Sequence, residues 1–366
     1  MQYNIKNTQI TVVGGGNIGT QFACICASKG FSTKLYCSQP DLFDGILECV
    51  NEYNETTIGK LTLITDDLPE ALADSKVVFV TYPAFMMYDF AKYMLPFILE
   101  ETIICVTPGT GGAEFAFAEC LEQGAKLIGL QRVPSVARLE KKGKRVRCEG
   151  LRPELFIGSI PSDVGYDFAV LMEKLWDIPC RTLPNYLSVT LTPSNPILHT
   201  TRLRTLFSDY YPGKYYERNP LFYGEWSDES SKLLLACDEE LQNMFKIMKN
   251  FDFSCVKSLK QHYESSTVEA MTRKICSIKS LHGLRSPMIQ ENGGWMPDFK
   301  SRYFVADFPY GLAIIESFAE ILRCNIPNIR ETMNWYRMVT GDSAKFDIKS
   351  YGITCLEDIY RWYNHQ

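Results

Sequence analysis

Three glycines near the N-terminus, four histidines and an arginine set among aromatics are the residues of this chain best placed to do chemistry. In "QITVVGGGNIGTQFACICASKG", Gly14, Gly16 and Gly19 fall at the spacing G-x-G-x-x-G between a β-branched run and a helical stretch ending at Gly30. That spacing suits a dinucleotide: one glycine for a tight turn, one for approach of backbone to pyrophosphate, one for helix–strand packing. Asn17 and Ile18 open the helix whose free N–H groups and positive dipole end would meet the phosphates. A bound nicotinamide transfers hydride, and hydride transfer to a carbonyl or imine needs a proton donor, most often histidine. His365 stands beside the C-terminus and His262 in a charged helix, so both are expected at the surface. His282 precedes Gly283 at a helix end, where an imidazole can cap carbonyls. His199 lies in "TPSNPILHTTRL", with Asn195 as expected N-cap and Pro196 at the first helical position. The residues alone leave His199 either a packed or capping side chain or a proton-transfer group, and a carboxylate partner would fix its tautomer.

The elements that must position these groups are legible in outline. Strand-like runs recur at "STKLYC", "LTLIT", "KVVFVTYP", "TIICVTPG" and "KLIGLQ", separated by expected helices. The pattern predicts an α/β doubly wound, Rossmann-type parallel sheet. Ligands of such sheets bind at the carboxyl ends of the strands, which brings in the loops "TYPAF", with Pro83, and "TPGTGG". NAD sites place an acid at the end of the second strand; here Cys37, Ser38 and Gln39 stand there, with no arginine for a 2′-phosphate. Ser38 or Asp41 could reach the ribose, and NADH is not separated from NADPH. After "VPSVARLEKKGKRVRCEGLRPELFIGSIP", read as short antiparallel strands, a helix over 163–176 and a strand near "CRTLP" close the first domain, 1–182. Residues 183–366 change to longer helical periods, as in "SSKLLLACDEELQNMFKIMKNF", predicting a mostly α-helical second domain with the active site in the cleft between the two.

Length and composition set the bounds. At 366 residues two cores are affordable, and a net charge of −5 gives no footprint for nucleic acid or an anionic membrane. The basic run "KKGKRVRC" reads as a solvated hairpin turning at Gly143. The region 76–106 is broken by Asp89, Lys92, Glu100 and Glu101, so no membrane span is expected. Thirteen scattered cysteines without a CxxC pair argue against a disulfide framework or metal site. With no signal pattern at the N-terminus, a reducing cytoplasm is the expected setting.

"SNPILH", followed about a hundred residues later by "ENGGWMPDFKSRYFVADFPYGLAIIESFAEILRCNIPNI", resembles the octopine/nopaline (opine) dehydrogenase family. "VPSVARLEKKGKRV" and "NPLFYGEW" look like family segments too, in the expected order, and the resemblance covers nearly the whole chain. It implies reductive condensation of a 2-oxo acid with the amine of an amino acid, using NADH or NADPH, to an N-(carboxyalkyl) amino acid. It also implies that His199 is the catalytic histidine, Asp307 its paired aspartate, and Arg302 the substrate-binding arginine, a planar fork for a carboxylate. Asp307, with Pro309 behind it, could equally begin a helix as its cap. The chain departs from many relatives at Ala306, where glutamate is common, and at Thr200, where proline is frequent. Two other readings compete: a reductase of a simple 2-oxo or 3-hydroxy acid on a related scaffold, and a non-catalytic dinucleotide sensor. No pattern fixes the side-chain pocket; Tyr223, Glu225, Trp226 and Trp295 are its nearest residues by block.

Overall fold

Strand β1 (Gln9–Val13) is apolar or β-branched from Ile10 onward, and those four residues are buried, which marks an inner strand covered on both faces. In the computed structural model, which describes residues 3–4 and 7–364, β1 pairs in parallel with β2 (Ser32–Tyr36) on one side and β6 (Val77–Val80) on the other. The sheet grows outward through β5 (Leu63–Thr65) on one edge. On the other edge it continues through β7 (Ile103–Val106), β8 (Lys126–Leu130), β11 (Leu155–Ile160) and β12 (Cys180–Thr182), in the order β12-β11-β8-β7-β6-β1-β2-β5. All pairs are parallel except β11 on β8, which run antiparallel. This is the expected doubly wound sheet, with α1 (Asn17–Ser28) and α2 (Val164–Trp176) packed on it.

The expected helix between β2 and β5 is absent. Residues 46–60 instead form a hairpin of β3 (Ile46–Asn51) and β4 (Thr56–Lys60). Its turn uses Asn54 at φ +64°, and the Asn51 side chain accepts from the N–H groups of Tyr53 and Glu55. The Asn-rich turn between β-branched arms outweighs helical propensity there. With the hairpin of β9 (Val136–Lys141) and β10 (Arg145–Glu149), it makes a second sheet in the order β4-β3-β10-β9. That sheet packs against α1, close enough that a Cβ at Gly59 would lie 2.3 Å from the Cys24 carbonyl oxygen.

By compactness the chain divides into Met1–Thr190 with Tyr363–Gln366, and Leu191–Trp362. The second unit is helical, built on α3 (Asn195–Leu206), α4 (Asp228–Ile247), α5 (Ala313–Leu322) and α6 (Pro327–Thr340), with one small hairpin, β13 (Met288–Glu291) and β14 (Gly294–Pro297). Ser227 caps α4, its hydroxyl accepting from the Ser230 N–H, and Asp228 and Glu229 fill the first turn, where the helix dipole favours anions. Among the described residues no helix is long and apolar enough to cross a membrane.

Candidate active site

The glycine loop leaves β1 at Gly14, whose φ of +105° is one that few other residues tolerate. Gly19 lies in the first turn of α1, and a Cβ there would fall 1.7 Å from the Gly14 carbonyl oxygen. Gly16 differs: it is exposed and a Cβ would meet nothing within 4 Å, so its bareness serves no packing inside the protein. It is also the N-cap of α1 and offers no side chain to the first N–H groups. An open cradle before unspent helix donors fits a dinucleotide pyrophosphate. The Asn17 side chain is not available for that purpose, because its Oδ1 accepts from the Leu139 N–H of β9 at 2.8 Å; what Asn17 and Ile18 can offer is backbone. Pro83 is the N-cap of the helix Ala84–Met94, and Ser38 is exposed beyond the end of β2. The β9–β10 turn folds against the segment after β2: Gly143, at φ +73°, abuts the Leu42 carbonyl, and Lys142 Nζ donates to Gln39 Oε1. A cation therefore stands where sequence reading found none, delivered from about a hundred residues away.

His199 sits in the second turn of α3, which starts at Asn195 with Ser194, not Asn195, as the capping residue. It is 5% exposed, and its Nδ1 lies 2.7 Å from Asp307 Oδ2, 108 positions along the chain. Asp307 stands at the head of a π-helical turn, Phe308–Leu312, in which the Leu312 N–H reaches back to the Asp307 carbonyl at 2.9 Å. Its side chain makes no cap bond, so the expected capping role is not taken up. Glycine explains the approach: at Gly311 a Cβ would come within 2.8 Å of the Pro196 ring, so only a bare backbone lets this turn pack on the start of α3. Stacking of Phe308 on Tyr336 of α6, at 4.3 Å and 11°, fixes the turn from behind.

The other ring nitrogen, Nε2, is 2.7 Å from Tyr223 Oη. A carboxylate can only accept, so Nδ1 carries the hydrogen, and Nε2 of the neutral ring accepts from the phenol. Tyr223 lies in an irregular segment that α3 itself fastens. Arg202, one turn beyond His199, is buried and donates to the carbonyls of Phe222 (3.0 Å), Glu225 (2.6 Å) and Leu221 (3.5 Å). Burial pulls its guanidinium down to about 10, which leaves it charged at neutral pH. Sequence reading missed Arg202; its i, i+3 spacing from His199 was the available signal.

Arg302 is exposed, and among the described residues neither a hydrogen bond nor an ion pair engages its guanidinium. The next residue, Tyr303, is half-buried with its ring 4.4 Å from that of His199. Glu225 is committed to Arg218 at 2.6 Å and to the Leu221 N–H, Trp226 donates to Ser231 Oγ, and Trp295 bridges to Tyr216. Of the other histidines, His282 Nδ1 is 2.9 Å from the Cys276 carbonyl, as a helix-end residue should be. His262 is half-buried beside Tyr263 and so only partly at the surface, and His365 lies outside the described residues. Among the described residues no group of three or more His, Cys, Asp and Glu could hold a metal ion.

Residues 182–340 match the family model for the NAD/NADP octopine/nopaline dehydrogenase α-helical domain, and residues 9–119 that for the NAD-dependent glycerol-3-phosphate dehydrogenase N-terminus. Tauropine dehydrogenase of Arabella iricolor is 23% identical over 91% of each chain. Octopine dehydrogenase of Pecten maximus is 24% identical over 93% of this chain and 92% of its own. A solved structure of octopine dehydrogenase with NADH and L-arginine superposes with a TM-score of 0.82 at 22% identity, covering 98% of both chains. Residues 182–340 thus form an octopine/nopaline dehydrogenase-type α-helical domain behind an NAD-dependent dehydrogenase N-terminus, and the solved octopine dehydrogenase shares this fold over nearly the whole chain.

Proposed function

We propose that His199, Asp307 and Arg302 carry the opine-type condensation in this chain, joining the amine of an amino acid to a 2-oxo acid and reducing the product to an N-(carboxyalkyl) amino acid. The observation that carries the assignment is the 2.7 Å contact of buried His199 with half-buried Asp307, a carboxylate that forgoes its helix cap. Imine formation expels the oxo oxygen as water, which requires a proton, and protonated His199 held by Asp307 can deliver one. In the reverse direction the neutral ring takes it back. Arg302 binds a substrate carboxylate through its two parallel N–H groups. The bound cofactor, NADH or NADPH, supplies the hydride for the C=N carbon. Gly14, Gly16, Gly19 and the backbone of Asn17 and Ile18 hold its pyrophosphate, with Ser38 and Pro83 beside its ribose ends. The proposed boundary between cofactor and substrate parts is 182/183, supported by the start of the helical-domain match at 182. A cytoplasmic setting is proposed from the scattered cysteines, all thirteen of which are free thiols.

The test is a matrix of 2-oxo acids against amino acids, following NADH and NADPH oxidation separately, in wild type and His199→Ala. Turnover should require both an oxo acid and an amine and should collapse in the variant. Oxidation by an oxo acid without amine would instead favour the simple reductase.

A further inference from the structure

The His199 ring has no open nitrogen edge. Nδ1 is committed to Asp307 and Nε2 to Tyr223, each at 2.7 Å, and the ring is buried. Whatever proton His199 gives or receives on its Nε2 side must therefore cross the Tyr223 hydroxyl or wait for that residue to leave. Leaving is costly. The Tyr223 ring lies parallel to Trp226 (6.3 Å, 9°) and edge-on to Phe222 (5.0 Å, 80°), and Arg202 clamps the segment on both sides. Tyr303, half-buried, packs its ring against both His199 (4.4 Å) and Phe222 (5.0 Å) and so covers the same side of the site.

We infer that Tyr223 is the proton relay of the reaction, the hydroxyl through which the His199–Asp307 pair exchanges its proton with substrate oxygen. This rests on the assignment of that pair under the proposed function. A hydroxyl accepts and donates at once, so charge need never rest on it. As the carbinolamine C–O bond breaks, Tyr223 gives its proton to the departing hydroxyl, which leaves as water. The same oxygen takes the Nε2 proton of protonated His199, the amine lone pair forms the C=N bond, and Tyr223 ends neutral. Burial pushes its phenol well above the ordinary value, so a concerted transfer is the one available.

The experiment compares wild type, His199→Ala and Tyr223→Phe in single turnovers, following NAD(P)H absorbance in mixtures of H2O and D2O. Tyr223→Phe should lose about 100-fold or more in rate, within the range of general acid–base catalysis. Its KM for both substrates should stay within about threefold, since only the relay is removed. The rate against deuterium fraction should be curved in wild type, from two protons in flight, and linear in the variant. A Tyr223→Phe rate within threefold of wild type would overturn the relay, as would a slow variant that keeps the wild-type curvature. If the phenylalanine variant does not fold, 3,5-difluorotyrosine at position 223 keeps shape and hydroxyl; a rate that follows its greater acidity supports the relay, and unchanged kinetics reject it. An active His199→Ala would instead remove the underlying pair, an outcome distinct from failure of the relay.

Discussion

Asp307 could have satisfied the N–H groups behind it; its carboxylate reaches across to another helix instead. Asparagine caps a helix as well as aspartate but carries no charge to support protonated imidazole. Asp307→Asn is therefore expected to lose about 100-fold or more in kcat/KM with an unchanged melting temperature, read by steady-state kinetics and calorimetry. If the pair acts as a unit, His199→Ala, Asp307→Ala and the double variant should share one residual rate, not multiply. Arg302 has a different signature. Lysine offers a point charge in place of a fork, so Arg302→Lys should raise KM for a carboxylate substrate by about tenfold and leave cofactor affinity unaltered. At this scale sequence named His199, Asp307 and Arg302 through their motifs. It could not pair Tyr223 with His199, because a contact between an irregular segment and a helix leaves no periodic trace.

Elements decide what the glycine fingerprint means. Gly14 and Gly19 are required by the backbone itself, one for its φ of +105° and the other for a 1.7 Å approach, whereas Gly16 faces open space. Gly16→Val should therefore fold normally and lose NAD(P)H affinity by more than about tenfold, since the added side chain fills the phosphate cradle. Fluorescence titration with parallel circular dichroism checks both halves. The β9–β10 turn bears on cofactor choice. Lys142 stands over Gln39 beyond β2, while Lys144 is spent on Asp44 at 2.7 Å. Lys142→Glu should lower the ratio of NADPH to NADH affinity by about tenfold, since one phosphate contact of this kind is charge-assisted. The strands of the parallel sheet were legible because buried strands read as continuous apolar runs, as Val77–Val80 and Ile103–Val106 do. The β3–β4 hairpin was not. Its arms are short, Thr56–Lys60 is exposed except at Gly59, and β3 pairs with β10 about a hundred residues away, where local pattern carries no information.

At the scale of the whole molecule, Glu114 is an ionisable group fully buried beyond β7. Burial raises its carboxyl to about 7, against hydrogen bonds from Thr190 and Tyr363 that pull it down, from an ordinary value of 4.5. Between those values the folded protein keeps a proton that the unfolded chain has released, so this group's contribution to stability is complete below about 4.5 and lost as pH rises through 7. The span corresponds to roughly 3 kcal/mol. Glutamine keeps the acceptor used by Thr190 and Tyr363 and cannot ionise. Glu114→Gln is thus expected to flatten the fall in urea-unfolding free energy between pH 5 and pH 8 by about that amount.

The Tyr363 hydroxyl that reaches Glu114 at 2.7 Å belongs to the first unit although it follows the whole of the second. In genetic terms the helical unit is an insert: the chain leaves its host at Thr190 and re-enters it at Tyr363. A nucleotide-binding fragment made by stopping at residue 190 would discard one of the two donors that hold Glu114, and bury that carboxyl with Thr190 alone. A minimal cofactor-binding protein from this chain must be spliced, not truncated, with a short linker replacing the insert and the last helical turn retained.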